Sequence, residues 1–144
     1  MLIKQVSVFV ENKAGKLAEV IKTIGDNGID IYALSIADTT DFGIVRLIVS
    51  DPDKVQEVLK EKGMVVKRTE VIAVVVEDKP GGLSHVLDVL RIKGIGIEYL
   101  YAFIGKNDNG ATVVMKVDKP QEAVQLLGST DVSLIEAEDL YRKN

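Results

Sequence analysis

The amino-acid sequence predicts an α+β fold in which one βαββαβ unit occurs twice. Three observations predict it: the chain repeats itself, each copy alternates short β-branched runs with helical periodicity, and glycines recur at matching turns. With Val6 set against Ile72, Val8 meets Val74, Val10 meets Val76, Glu11 meets Glu77 and Lys13 meets Lys79. Further on, Gly15 meets Gly81, Leu17 meets Leu83, Val20 meets Val86, Gly28 meets Gly94 and Ile31 meets Ile97, all without a gap. With single-residue insertions in the loops, Asp51 meets Asp118 and Leu59 meets Leu127. Matched glycines together with matched apolar positions indicate a duplicated supersecondary unit.

The elements follow in order. Val6 to Glu11 and Val71 to Glu77 are short and β-branched, so they read as strands. Leu17, Val20, Ile21 and Ile24, and in the second copy Leu83, Val86, Leu87 and Leu90, fall at i, i+3, i+4 and i+7, one stripe of a helix. Asn27-Gly28 and Lys93-Gly94 end those helices, with glycine free to take positive φ. Second strands run from Ile29 to Ala37 and from Ile95 to Ile104. Turn residues Asp38 to Gly43 and Gly105 to Gly110 follow, with Asn109-Gly110 a hairpin signal. Third strands run from about Ile44 to Val49 and Ala111 to Val117. Asp51 and Asp118 are placed as N-caps, with Pro52 and Pro120 in the first turn. Val55, Val58 and Leu59, then Ala123, Leu126 and Leu127, mark short second helices. Final strands are expected near Val65 to Thr69 and Val132 to Glu136. This order is ferredoxin-like: an antiparallel four-stranded sheet with two helices on one face, in domains of residues 1–68 and 69–144.

Lys67 to Glu70 leave almost no linker, so the two domains are expected to be rigidly docked. Phe9, Ala73 and Val75 lie on the strand face opposite Val8, Val10, Val74 and Val76, which predicts that the second sheet face is covered as well.

Composition narrows the function. The 144 residues are 47% hydrophobic and 28% charged, an ordinary globular mix. A net charge of −4, with basic residues scattered among acids, leaves no electrostatic footprint for nucleic acid or an anionic membrane. The absence of cysteine excludes disulfides, zinc–thiolate sites and cysteine nucleophiles, and suits a cytoplasmic address. Met1 to Gln5 enter a strand pattern at once, without a basic-then-apolar leader. The longest apolar run, Val71 to Val76, is too short for a membrane span.

Glu11-Asn12-Lys13-Ala14-Gly15-Lys16-Leu17 and Glu77-Asp78-Lys79-Pro80-Gly81-Gly82-Leu83 resemble the turn between strand one and helix one of ACT domains, roughly Asn/Asp-x-Pro-Gly-x-Leu. Gly28-Ile29-Asp30-Ile31 and Gly94-Ile95-Gly96-Ile97 resemble the segment that opens strand two in that family. The resemblance covers both units, essentially the whole chain. It implies a stand-alone tandem ACT protein, a homodimer, that binds a free amino acid at an interface between paired domains and regulates a partner enzyme. It implies no cofactor, no metal and no catalysis. The family's ligand contacts, carried over, fall on Asn12, Ala14, Gly15, Lys16, Leu17 and Asp30 in the first unit. In the second they fall on Asp78, Pro80, Gly81, Gly82, Leu83 and Gly96. Ala14 replaces the family's proline and Gly96 its usual polar residue, so the two units are not expected to be equivalent.

The physics of the turn points the same way. A glycine lets backbone approach a ligand closely. The N–H groups and positive dipole end of the following helix suit a carboxylate. Asn12, Asp78 and Asp30 are acceptors for an ammonium group. The plainer readings stay open: the glycines serve the turn alone, Asn12 and Asp78 cap the helix, and Asp30 is a solvated strand residue. His85, the single histidine, is read as a surface residue or a contact from the start of the helix. Tyr99, Tyr101 and Phe103 share a strand parity, where the first unit has Ala33, Ser35 and Ala37, and read as packing or as a pocket wall. Asp108-Asn109-Gly110 lacks the spacing of a calcium loop. One histidine and no cysteine leave little scope for a nucleophile–base pair, and there is no Walker-type glycine loop. Two rival readings remain: a ligand-free module that pairs subunits or binds a partner protein, and a small enzyme on a ferredoxin-like scaffold.

Overall fold

A computed structural model describes residues 2–38, 41–105 and 110–141. Thr39, Thr40, Asp108 and Asn109, on which parts of the turn and hairpin expectations rest, lie outside the described residues. The chain forms two compact units, one of Lys4–Thr69 and one of residues 70–141 together with Leu2 and Ile3.

The first unit contains β1 (Ile3–Glu11), α1 (Lys16–Asp26), β2 (Ile31–Asp38), β3 (Phe42–Val49), α2 (Pro52–Glu61) and the first part of β4 (Val65–Val76). The strands lie in the order β2-β3-β1-β4. β3 runs antiparallel to both neighbours, with Val8 opposite Val45 and Leu34 opposite Leu47. The helical stripe works as its spacing demands: Val20 and Ile24 of α1, with Val55 and Leu59 of α2, are buried against Val6, Val8, Val45 and Leu47. Burying each such side chain contributes roughly 1.5–3 kcal/mol. α2 is capped by Asp51, whose carboxylate accepts the Lys54 N–H at 3.1 Å, and Pro52 opens its first turn.

The second unit begins in the same long strand β4 and continues with α3 (Gly82–Ile92), β5 (Ile97–Ala102), β6 (Ala111–Val117), α4 (Pro120–Gly128), β7 (Ser133–Leu134) and α5 (Ala137–Tyr141). Its strand order is β7-β4-β6-β5. Val86, Leu90, Ala123 and Leu127 from α3 and α4 pack on Ile72, Val74, Met115 and Val117. Each unit is thus the expected antiparallel sheet with two helices on one face.

Four details differ from the sequence reading. Asp118 is not the N-cap of α4; Lys119 is, without a side-chain cap bond. Asp118 instead accepts the Gly96 N–H at 2.9 Å, and its own N–H donates to the Gly96 carbonyl. Ser50 plays that part in the first unit, bonding both backbone groups of Asp30. Asp118 therefore corresponds to Ser50 and Lys119 to Asp51, which shifts the alignment by one. Second, helix one of each unit starts at Gly15 or Gly81, each with φ near +87 and +86, and neither Asn12 nor Asp78 caps it. Third, β7 is only Ser133–Leu134, opposite Val75 and Val74, with one further bond from the Ile135 N–H to the Ala73 carbonyl; it is shorter than the strand expected to Glu136, because the chain turns into α5.

The fourth is a bulge in β2 and in β5, which reverses side-chain parity partway along each strand. Ile97 lies opposite Val117 of the core, whereas Tyr99 and Tyr101 lie opposite Lys116 and Val114, on the face away from the helices. Their rings stack at 6.5 Å between centroids. On that face Ala33, Ile48, Ala73 and Val114 are buried, beside the polar Gln5, Ser7 and Thr112.

Candidate functional site

The turn between the first strand and first helix is built the same way in both units. After the strand, the Lys13 N–H donates to the Glu11 carbonyl and the Lys79 N–H to the Glu77 carbonyl, a tight reversal. The next bonds, Lys16 to Lys13 and Gly82 to Lys79, complete the turn. Gly15 and Gly81 then take the left-handed conformation that residues with a Cβ rarely adopt. The first helical bonds run from Glu19 to Gly15 and from His85 to Gly81, so the N–H groups of Leu17, Ala18, Leu83 and Ser84 belong to the turn that has no intrahelical acceptors.

An ion pair spans each turn. Lys13 meets Glu11 at 3.0 Å and Lys79 meets Glu77 at 2.7 Å. Hydrogen bonding and charge attraction from Lys13 hold the Glu11 carboxyl below its usual range, and the same effects from Glu77 raise the Lys79 ammonium. Both pairs are solvent-exposed and screened, so they orient the turn rather than stabilise the fold.

A cavity abuts each turn. In the second unit it measures about 330 Å³. Val75, Val76 and Glu77 at the end of β4 form one wall, and Lys79, Gly81, Gly82, His85 and Val86 form a second. Asp131 and Val132, between α4 and β7, form the third. Gly82 is buried, and a Cβ there would stand 2.0 Å from the Glu77 carbonyl oxygen, so the wall fits only glycine. His85 Nε2 approaches Asp131 Oδ1 at 3.5 Å across the mouth. Thr130 fixes the Asp131 segment, because its hydroxyl donates to the Leu127 carbonyl at 2.7 Å and accepts the Val132 N–H at 3.2 Å.

The first unit has a cavity of about 320 Å³ in the equivalent place, between Val10 and Glu11 of β1, Lys16 and Glu19 of α1, and Lys62 to Val65 after α2. Its chemistry differs. Lys16 replaces Gly82 and pairs with Glu19 along the helix at 3.7 Å. Glu19 replaces His85. Gly63, with φ +78, ends α2 where the second unit has Asp131.

Of the sequence-derived site residues, Lys16, Gly81 and Gly82 line a cavity. Asn12, Ala14, Gly15, Asp78 and Pro80 are exposed on the outside of the same turns. Leu17 and Leu83 pack on the cores below. Asp30 and Gly96 sit at the openings of β2 and β5, tied to Ser50 and Asp118 rather than lining the cavities. Desolvation, and to a lesser extent the charge of the exposed Asp30 carboxylate, raises the Tyr32 hydroxyl above its usual range. Glu77 and Asp131, not among the sequence-derived site residues, line the cavity. Asp131 arrives from the far end of the repeat, where only the spatial return of the last strand to the first, not any local motif, brings it near. Among the described residues, no helix is long and apolar enough to cross a membrane.

Paired βαββαβ units, each with a left-handed glycine between first strand and first helix, define a class of tandem regulatory domains. The chain belongs to the ACT domain pair family, which it matches over residues 1–143. A protein of known crystal structure from Bacteroides thetaiotaomicron is 40% identical, with a TM-score of 0.91 over 99% of this chain and 97% of that one. The ligand-free regulatory subunit of aspartate kinase from Thermus thermophilus is 14% identical, with a TM-score of 0.61 over 88% and 92% of the two chains. The corresponding subunit from Thermus flavus is 12% identical, with a TM-score of 0.60 over 87% and 90%. These last two share the fold. No curated protein matches the sequence.

Proposed function

We propose that this chain is a non-catalytic regulatory protein that binds a free amino acid at the turn between the first strand and first helix of an ACT unit. The observation that carries this reading is the cavity of about 330 Å³ against the Gly81 turn, with both signs of charge on its walls. Its size lies at the lower end of small-ligand pockets, as an amino acid requires. Backbone N–H groups at the start of α3 suit the α-carboxylate, and Glu77 and Asp131 suit the ammonium. Asn12, Ala14, Gly15, Lys16, Leu17 and Asp30 of the first unit, or Asp78, Pro80, Gly81, Gly82, Leu83 and Gly96 of the second, are the proposed contacts once a paired domain closes over one of the turns. The protein acts in the cytoplasm, as a homodimer, and signals to a partner enzyme through how its domains pair. A ligand moves such an equilibrium only by its difference in affinity for the two arrangements.

A specific observation favours pairing of chains. β2 and β5 each have one neighbouring strand, and each carries an exposed apolar side chain, Ile36 and Leu100. Such an edge is a ready template for another strand.

A thermal-shift panel of the standard L-amino acids tests the sensor reading. A ligand at about 100 times its dissociation constant stabilises the folded state by roughly 2.7 kcal/mol, which raises the melting temperature by about 5–10 °C for a chain of this size. A rise with one or two amino acids is the expected result. A flat panel at millimolar concentration, with folded protein, favours the ligand-free pairing module.

A further inference from the structure

We propose that the cavity of the second unit, not its counterpart in the first, is the amino-acid site, and that Asp131 is the residue that selects an α-ammonium group there. This rests on the amino-acid reading above and assigns it to one cavity and one carboxylate. The two cavities have nearly the same volume, about 330 and 320 Å³, so chemistry decides between them.

In the first unit the charges cancel within the protein. Glu11 and Glu19 are matched by Lys16 and Lys62 on the same walls, and Lys13 also pairs with Glu11. Lys16 and Glu19 lie on one face of α1, so no guest is needed to satisfy either. In the second unit Glu77 and Asp131 face a single ammonium, Lys79, which is already bonded to Glu77. Among the described residues the side chain of Asp131 meets only the imidazole of His85, at 3.5 Å, and the two side chains are 86% and 59% exposed. That contact spans the mouth from one wall to another, and an exposed pair of this length is worth little. An ammonium group entering the mouth gives Asp131 a close, directly bonded partner in place of that long contact.

The chemistry required is an α-amino acid with both charges, its ammonium on Asp131 and its carboxylate toward the first turn of α3. His85 lies beside the ammonium and is a positioning residue for Asp131. It is also the only histidine in the chain, so its imidazole NMR signals report on this cavity alone.

The test takes the amino acid that gives the largest thermal shift with the wild-type protein and titrates it by calorimetry into wild type and Asp131→Asn, following His85 by NMR in parallel. Asp131 is largely exposed, so the asparagine variant keeps the fold, checked by its melting temperature. The expected result is a loss of affinity of about tenfold or more in Asp131→Asn, with the His85 signals moving on titration of the wild type. The 2-hydroxy acid analogue of the same amino acid, which lacks the ammonium, should bind wild type weakly and Asp131→Asn no more weakly. Binding that survives Asp131→Asn within about twofold, or that leaves the His85 signals in place, overturns the assignment and leaves the amino-acid reading standing. A panel in which nothing binds the wild type overturns both.

Discussion

Gly82→Ala should destabilise the second unit by about 1–3 kcal/mol, the usual cost of forcing a methyl into a filled space. The melting temperature should fall by roughly 4–10 °C. The cause is a backbone collision. An added Cβ meets the Glu77 carbonyl oxygen at 2.0 Å and its carbonyl carbon at 3.0 Å, and neither can swing aside as a side-chain tip can. Relief requires moving the end of β4, the strand that also walls the cavity. Gly25→Ala supplies the contrast. Gly25 lies inside α1 with nothing within 4 Å of an added Cβ, so alanine should stabilise by about 0.4–1 kcal/mol through the unfolded chain. Chemical denaturation of the two variants measures both. A Gly82→Ala protein as stable as wild type contradicts the turn geometry.

Gly81→Asn should separate binding from folding. Gly81 has φ +86 and open space where a Cβ would lie. Asparagine is among the residues that tolerate this conformation, so the fold should lose no more than about 1–2 kcal/mol. The new side chain would project from the cavity wall beside the N–H groups that receive the carboxylate. Affinity for the amino acid found by thermal shift should fall about tenfold or more, as expected when charged hydrogen bonds are lost. Unchanged affinity in calorimetry places the ligand elsewhere.

The fold was legible because its signals are local. Leu17, Val20, Ile21 and Ile24 needed only their spacing to predict α1, and Gly28 and Gly94 took the positive φ expected after each helix. The repeat then made each unit evidence for the other. What stayed hidden is non-local or subtle by one residue. The bulges in β2 and β5 come from cross-strand register, which hydrophobic alternation within one strand does not encode. Asp118 looked like a cap because aspartate favours that position and Pro120 follows close behind, yet its carboxylate accepts the Gly96 N–H at the opening of the neighbouring strand. α5 is a single short turn of helix without an apolar stripe.

The candidate site divides along the same line. Its glycine turn is a contiguous motif and could be read directly. Asp131 could not, because it reaches His85 only when the last strand folds back beside the first. The difference between the two cavities also rests on single exchanges, Lys16 for Gly82, Glu19 for His85 and Gly63 for Asp131, whose shared location appears only in three dimensions.

The measurement that bears most directly on the central claim is amide chemical-shift mapping of the 144-residue chain during titration with the amino acid that most stabilises it. The account predicts that the amides of Gly81, Gly82, Leu83 and Ser84 move first and furthest, together with those around Asp131. Shifts confined to surfaces away from both first-strand turns, or saturation with none at all, would contradict it.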